Sequence, residues 1–292
     1  MTPKSPVTTV RVESVLTEAT DQLRRAGTTS PAAEARTLLA HVLGVSAGQL
    51  LLVSGVDTAA RSALEALVVR RAAGEPVQHL TGVAHFRTVS LAVGPGVFVP
   101  RPETEVMVGW AIERLQELVA EGTRSPVVVD ACTGSGAIAM AIVTEVPQAR
   151  VHACELSEDA YDYAVRNLAA TGVDVVASGL SDAFAELAGS VDLVISNPPY
   201  IPLTAWESVT AEVRDHDPAP ALWSGDDGLD AMRELAVAAA RWLRPGGWVA
   251  AEHAEVQHES APAVFLGDGR YDRVRDHPDL TGRFRFVTSR RI

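Results

Sequence analysis

Asn197-Pro198-Pro199-Tyr200 closes the apolar run Val191-Asp192-Leu193-Val194-Ile195-Ser196. A run of this length that ends in a Pro-Pro break reads as a buried strand stopping abruptly, because neither proline can donate a ladder hydrogen bond. Asn197 is thereby left at the strand's carboxyl edge, where open α/β sheets place their ligands. Its carboxamide oxygen and the proline carbonyls that no N–H has claimed make a small cluster of acceptors. Such a cluster suits a planar –NH2 group, and the chemistry it fits is group transfer to that nitrogen, methyl transfer foremost. Taken alone, the motif also suits a plain surface turn.

A second chemical element lies upstream in Asp130-Ala131-Cys132-Thr133-Gly134-Ser135-Gly136-Ala137-Ile138-Ala139. Gly134, Gly136 and Ala139 match the G-x-G-x-x-G/A pattern of a βα turn that cradles a nucleotide-like cofactor. Glycines there let the backbone approach a ligand with no Cβ in the way. Glu155 follows at the end of a second apolar run, where a carboxylate can accept from ribose hydroxyls. An ordinary strand-helix turn and a nicotinamide enzyme both remain compatible with this loop by itself.

The elements that must position these groups alternate strand and helix from about residue 103. Val127–Val129, Val151–Glu155, Val173–Val176, Val191–Ser196 and Trp248–Glu252 read as strands, with helices over Ala137–Val143 and, capped by Ser157, through Ala170. This alternation implies a mostly parallel sheet covered on both faces, with Tyr271–Val274 and Phe284–Thr288 as a closing antiparallel pair. Residues 1–75 read as a small helical domain. Ser30-Pro31 marks one helix start, Asp57 caps another, and Gly74 stops it. Residues 76–102 read as a hairpin, spanning Val77–Val93, and a stiff linker; residues 103–292 are the catalytic domain.

The whole chain has 292 residues, 47% hydrophobic and 21% charged, enough for one large domain and a small one. A formal net charge of −12 disfavours direct nucleic-acid binding, which runs on Lys and Arg neutralising phosphates. Two cysteines, Cys132 and Cys154, provide no disulfide framework. Met1–Val15 lacks the apolar core of a signal peptide, and no stretch has the length of a membrane span. A cytoplasmic location is expected. The eight histidines show no zinc spacing, so no metal is expected.

In register, the Gly-rich loop, the acid at 155 and Asn-Pro-Pro-Tyr resemble the class I S-adenosylmethionine-dependent methyltransferases that act on amide or amino nitrogens. Two further segments, Gly74-Glu75-Pro76-Val77-Gln78-His79-Leu80-Thr81-Gly82 and Phe98-Val99-Pro100-Arg101-Pro102-Glu103-Thr104-Glu105, are similar to the signatures of the HemK/PrmC family. The similarity continues through Glu212-Val213-Arg214, Asp217-Pro218, Ala221-Leu222 and Gly225–Leu229. That family methylates the glutamine of the Gly-Gly-Gln motif in class-1 peptide chain release factors, giving N5-methylglutamine. The resemblance implies a Rossmann-like α/β fold with a helical N-terminal domain that docks the release factor, and S-adenosylmethionine as cofactor. It implies Asn197, Pro198, Pro199 and Tyr200 as the glutamine grip. Cys132, Thr133, Gly134, Ser135, Gly136, Glu155, Asp182, Ala183 and Asn197 are implied as the cofactor lining. A monomer is expected, with neither membrane nor nucleic acid as partner; another protein glutamine or a nucleobase amino group is the alternative acceptor.

Several positions depart from the family pattern. Cys132 stands where relatives usually carry glycine, Glu155 replaces the commoner aspartate, and Asp217-Pro218 replaces Glu-Pro. An aromatic is expected to flank the adenine after Asp182, yet this chain has Ala183 and then Phe184. Arg101, Glu103 and Glu105 either brace the active site, as the resemblance implies, or cap the first helix of the catalytic domain. Pro202–Asp227 reads as a mobile loop that orders on substrate.

Overall fold

Apart from Asp130, Asp192 and Ser196, the residues of Val127–Ala131 and Val191–Ser196 are apolar on both faces, as in central strands of a doubly covered sheet. The computed structural model describes residues 9–292, the side chains of Ser208 and Ala211 excepted, and contains that sheet. The start of the expected 1–75 domain, and part of the stretch read as lacking a signal peptide, lie outside the described residues. Two compact units divide the chain: the first runs to Gly82 and takes in Thr210–His216, and the second comprises Val83–Val209 and Asp217–Ile292.

In the first unit, β1 (Thr9–Val10) leads into α1 (Val12–Arg25) and α2 (Pro31–Leu43). β2 (Val56–Asp57), α3 (Thr58–Ala72) and the short α4 (Val77–Thr81) follow. Val15, Ala19 and Leu23 of α1 are spaced by four and bury against Leu38, Leu39, Leu64 and Val68. Arg71 is buried and held by Glu34 at 2.5 Å and by Glu212 at 2.8 Å, so this cation has the partners burial demands. Asp57 caps α3 by accepting from the Ala60 N–H at 2.8 Å. Asp57→Ala is expected to destabilise the protein by about 1 kcal/mol, read as a lower urea midpoint. Asp57→Ser restores most of it.

Residues 77–81 are helical where the sequence reads as the start of a hairpin. Pro76 opens the turn, its carbonyl accepting from the Leu80 N–H at 3.1 Å, and Gly82 closes it at φ +73°. The hairpin itself is β3 (Val83–Phe86) with β4 (Val89–Ala92).

The second unit continues with α5 (Thr104–Ala120), β5 (Val127–Ala131), α6 (Ala137–Glu145), β6 (Arg150–Glu155), α7 (Glu158–Leu168), β7 (Asp174–Ala177) and β8 (Val191–Ser196). Residues 202–227 contain a 3-10 turn over Leu203–Ser208, then α8 (Ala211–His216), which belongs to the first unit, and α9 (Ala219–Leu222), where a bare loop is expected from sequence. The chain then closes with α10 (Asp230–Trp242), β9 (Leu243–Glu252), α11 (Ser260–Asp268), β10 (Tyr271–Pro278) and β11 (Phe284–Arg291).

Seven strands form one sheet in the order β10-β11-β9-β8-β5-β6-β7. β5 pairs in parallel with β6 and β8, β6 with β7, and β8 with β9, whereas β11 and β10 are antiparallel. Alternation assigns the faces. Val129, Ala131, Val194 and Val249 meet α10 and α11, while Val128, Leu193, Ile195 and Ala250 meet α5 and α6. Asp192, an acid inside an apolar run, accepts from the Val127 N–H at 2.8 Å and from Arg244 at 2.6 Å. It thus satisfies the first donor of β5.

Candidate active site

The strand order reverses at β5. From β5 the chain winds outward through β6 and β7, then returns to place β8 on the other side of β5. Parallel sheets open a crevice at such a reversal, outside the carboxyl ends of the two strands. Ala131 is registered opposite Ser196, and the buried Ser196 hydroxyl donates to the Ala131 carbonyl at 2.7 Å. The Gly-rich loop and Asn197 therefore leave the sheet side by side. Ala131 is also registered with Cys154, which puts Glu155 on the same edge.

Asp130 organises the loop from beneath. Its carboxylate is fully buried and accepts from the Thr133 hydroxyl at 2.5 Å and the Ala139 N–H at 3.0 Å, while Oδ1 is buried without a hydrogen-bond partner. Burial pushes its pKa up to about 7, against the pull of those two donors. Gly134 and Gly136 take φ of +57° and +82°, and a Cβ on Gly134 would meet no heavy atom within 4 Å. Cys132 also lies in the left-handed region, at φ +57°, the conformation that a glycine there adopts without strain. Burial pushes the Cys132 thiol well above its ordinary value and that of Cys154 up to about 12, so both stay protonated and unreactive.

Glu155 is engaged by backbone. Its Oε2 accepts from the Gly134 N–H at 2.8 Å, and its Oε1 from Leu156 and Ser157, each at 2.9 Å. A carboxylate has about four acceptor positions, and one is left for a further donor. Asp182 is exposed, with its N–H given to Gly179 O, and Ala183 is buried, its carbonyl accepting from Trp242 Nε1 at 3.0 Å. Phe184 adopts φ +54°, which turns its ring into the core against His152 and Trp242. It therefore stands in the hydrophobic core, away from the aromatic position expected beside Asp182.

Asn197 is half-buried and Pro198 buried. The Asn197 Nδ2 donates to Thr104 Oγ1 at 3.3 Å, Thr104 donates to Glu252 Oε2 at 2.6 Å, and the Tyr200 hydroxyl donates to Glu252 Oε1 at 3.2 Å. Tyr200 is thus tied to a carboxylate by its hydroxyl, and burial beside that charge raises its phenol far above the ordinary range. Gln257 holds the Tyr200 carbonyl at 3.0 Å and the Asp227 carbonyl at 3.1 Å.

Asp130, Thr104 and Glu252 were not singled out by the motifs. Glu252 carries the same signal that marks Glu155, an acid ending an apolar run. Arg101 pairs with Asp217 at 2.7 Å, whereas Glu105 accepts from the Arg87 N–H at 2.9 Å and so anchors the hairpin turn. A separate cavity of about 270 Å³ is lined by Arg114, Asp192, Arg244, Trp248 and Arg290. Asp192 lies second in β8 and Asn197 follows its end, so this hollow belongs to the opposite edge of the sheet.

Residues 14–82 match the model of the PrmC N-terminal domain, and residues 111–213 that of the methyltransferase small domain. The chain is 51% identical over 274 residues to the release factor glutamine methyltransferase of Streptomyces coelicolor, covering 94% of this chain and 96% of that one. It is 42% identical over 269 residues, 90% of each chain, to the 4-amino-L-phenylalanine/4-methylamino-L-phenylalanine methyltransferase of Streptomyces pristinaespiralis. Among solved structures, the hMettl16 catalytic domain in complex with an RNA hairpin shares the fold at a TM-score of 0.52 and 13% identity, over 77% of this chain and 81% of that one.

Proposed function

The chain belongs to the release factor glutamine methyltransferase family, and on that premise we propose how its own residues carry the transfer. It methylates a release-factor glutamine on the side-chain amide. The observation that supports the residue roles is the strand reversal at β5, which sets the acceptor cluster of Asn197 beside the Gly-rich loop. Asn197 Oδ1 and the Pro198 carbonyl accept the two N–H bonds of the amide. An amide nitrogen is a poor nucleophile because its lone pair is delocalised, so the grip works by orienting that lone pair and by preorganised dipoles. The nitrogen sheds its proton after the methyl has moved, and no strong base is needed. Tyr200 and Pro199 wall the planar group from water.

S-adenosylmethionine is the donor we assign, and when bound it supplies an electrophilic methyl group. The residues fit it. Asp130 Oδ1, buried and unpartnered, suits an ammonium group, and Glu155 retains an acceptor position for ribose hydroxyls. Cys132, Thr133, Ser135 and Gly136 complete the turn around Gly134, with Asp182 and Ala183 on the adenine side. Gly134→Ala adds a Cβ that touches no protein atom and so obstructs only the ligand and strains φ. Its cofactor affinity is expected to fall about tenfold, roughly 1.4 kcal/mol, in isothermal titration. An unchanged Kd would exclude close approach at Gly134.

The acceptor we assign is the glutamine of the Gly-Gly-Gln motif in class-1 release factors. Residues 1–75 dock that protein, 76–102 link, and 103–292 catalyse. The enzyme acts as a cytoplasmic monomer and does not bind nucleic acid directly, in keeping with its charge of −12. Among the described residues, no helix is long and apolar enough to cross a membrane. The Streptomyces pristinaespiralis relative favours a second reading, since an arylamine presents the same planar –NH2. Offering the enzyme release factor and 4-amino-L-phenylalanine separately decides between them. Label on the protein supports the first reading, and label only on the amino acid overturns it.

A further inference from the structure

We infer that Thr104 and Glu252 are positioning residues for the transfer: they fix which atom of the Asn197 carboxamide faces the acceptor nitrogen. The inference rests on the reading of Asn197 as the glutamine grip. Both residues are buried, Thr104 3% exposed at the start of α5 and Glu252 1% exposed at the end of β9. An ionised carboxylate can only accept. Glu252 therefore takes the protons of the Thr104 and Tyr200 hydroxyls, at 2.6 and 3.2 Å. With its own proton committed, Thr104 offers Asn197 a lone pair and nothing else. The carboxamide must then present its NH2 to Thr104, which leaves Oδ1 for the acceptor amide. Reversed, Asn197 would show an N–H to an N–H and bind no planar amide.

The direction of the chain depends on the charge of Glu252. A protonated carboxyl can donate to Thr104, whose hydroxyl then points at Asn197 and is satisfied by Oδ1. Protonation thus removes the force that holds the productive orientation. Four groups face Glu252 from the elements around it: Thr104 and Glu103 at the head of α5, Tyr200 after β8, and Arg285 on β11. Burial dominates and pushes its pKa up to about 7, the two hydroxyl bonds and Arg285 pulling down and Glu103 up. The ionised form is the active one. Turnover should therefore be flat above this pKa and fall below it, levelling off about 10–100-fold lower once Glu252 is protonated and no longer enforces one orientation.

The test measures kcat, KM and the pH profile of the full-length enzyme with S-adenosylmethionine and purified release factor. Glu252→Gln is uncharged, accepts or donates equally well, and no longer enforces one direction. Its kcat is expected to fall about 10–100-fold, the scale of a misplaced reactant, with cofactor Kd unchanged and the acid limb of the profile lost. Thr104→Val removes the hydroxyl at constant shape and should lower kcat similarly, whereas Thr104→Ser recovers most of the rate. A Glu252→Gln enzyme with wild-type kcat and the same acid limb overturns the inference. If that variant does not fold, equal rates for Thr104→Val and Thr104→Ser overturn it instead. The wild type separates the two levels: no transfer to release factor contradicts the reading of Asn197, while transfer with insensitive variants contradicts only the role of Thr104 and Glu252.

Discussion

Asn197→Ala leaves S-adenosylmethionine affinity largely unchanged and lowers kcat by about 10²–10³-fold, the usual consequence of deleting one preorganised polar contact. The side chain contributes Oδ1 to the acceptor amide and, through Nδ2, a donor to Thr104 at 3.3 Å. Alanine supplies neither. The backbone of Ser196 and Asn197 is set by β8 and by the 2.7 Å bond from Ser196 to the Ala131 carbonyl, so the neighbouring cofactor loop keeps its place. The Pro198 carbonyl is also retained, which leaves one of the two acceptors and a residual rate. Steady-state turnover together with titration calorimetry checks both halves. Undiminished kcat would remove Asn197 from the mechanism.

Gly228→Ala is expected to cost about 2–4 kcal/mol, combining a left-handed backbone with overpacking. Gly228 sits at φ +77°, and an added Cβ would stand 2.3 Å from the Tyr200 carbonyl oxygen, 2.6 Å from Gln257 Nε2 and 3.0 Å from Pro202 Cδ. Two of these contacts belong to the bond by which Gln257 holds the residue closing the Asn-Pro-Pro-Tyr grip. None is the far end of a flexible side chain free to swing away, because Gln257 is buried and also bonded to the Ala254 N–H at 2.9 Å. Turnover falls with stability. Gly269→Ala is the control, since it shares φ +77° but would meet nothing within 4 Å. Urea unfolding should show a loss at Gly228 well beyond that at Gly269. Equal losses would mean that backbone strain alone is at work.

Much of the sheet was legible because its signals are local. Val191–Ser196 ending at Pro198 defines a strand and the position of Asn197 from adjacent residues. The Gly-rich turn and Glu155 are equally local. Thr104 and Glu252 were not legible as a pair, since they are 148 residues apart and meet only because β9 lies next to β8 while α5 crosses nearby. Strand order is a non-local property that no motif records. The seat of Phe184 was not legible either, because its left-handed φ of +54° and its packing against Trp242 in the core depend on tertiary context. At Val77–Thr81, β-type side chains outweighed the helix stop at Gly82, which the structure obeys. The short helices within 202–227 lack a long apolar stripe, and periodicity cannot announce elements of only 6 and 4 residues.

Transfer of labelled methyl from S-adenosylmethionine to purified release factor, run beside a release factor whose Gly-Gly-Gln glutamine is changed to alanine, decides whether that glutamine is the acceptor. Label on the unaltered protein and none on the altered one is the predicted result. Equal label on both, or none on either from enzyme that still binds the cofactor, would contradict it.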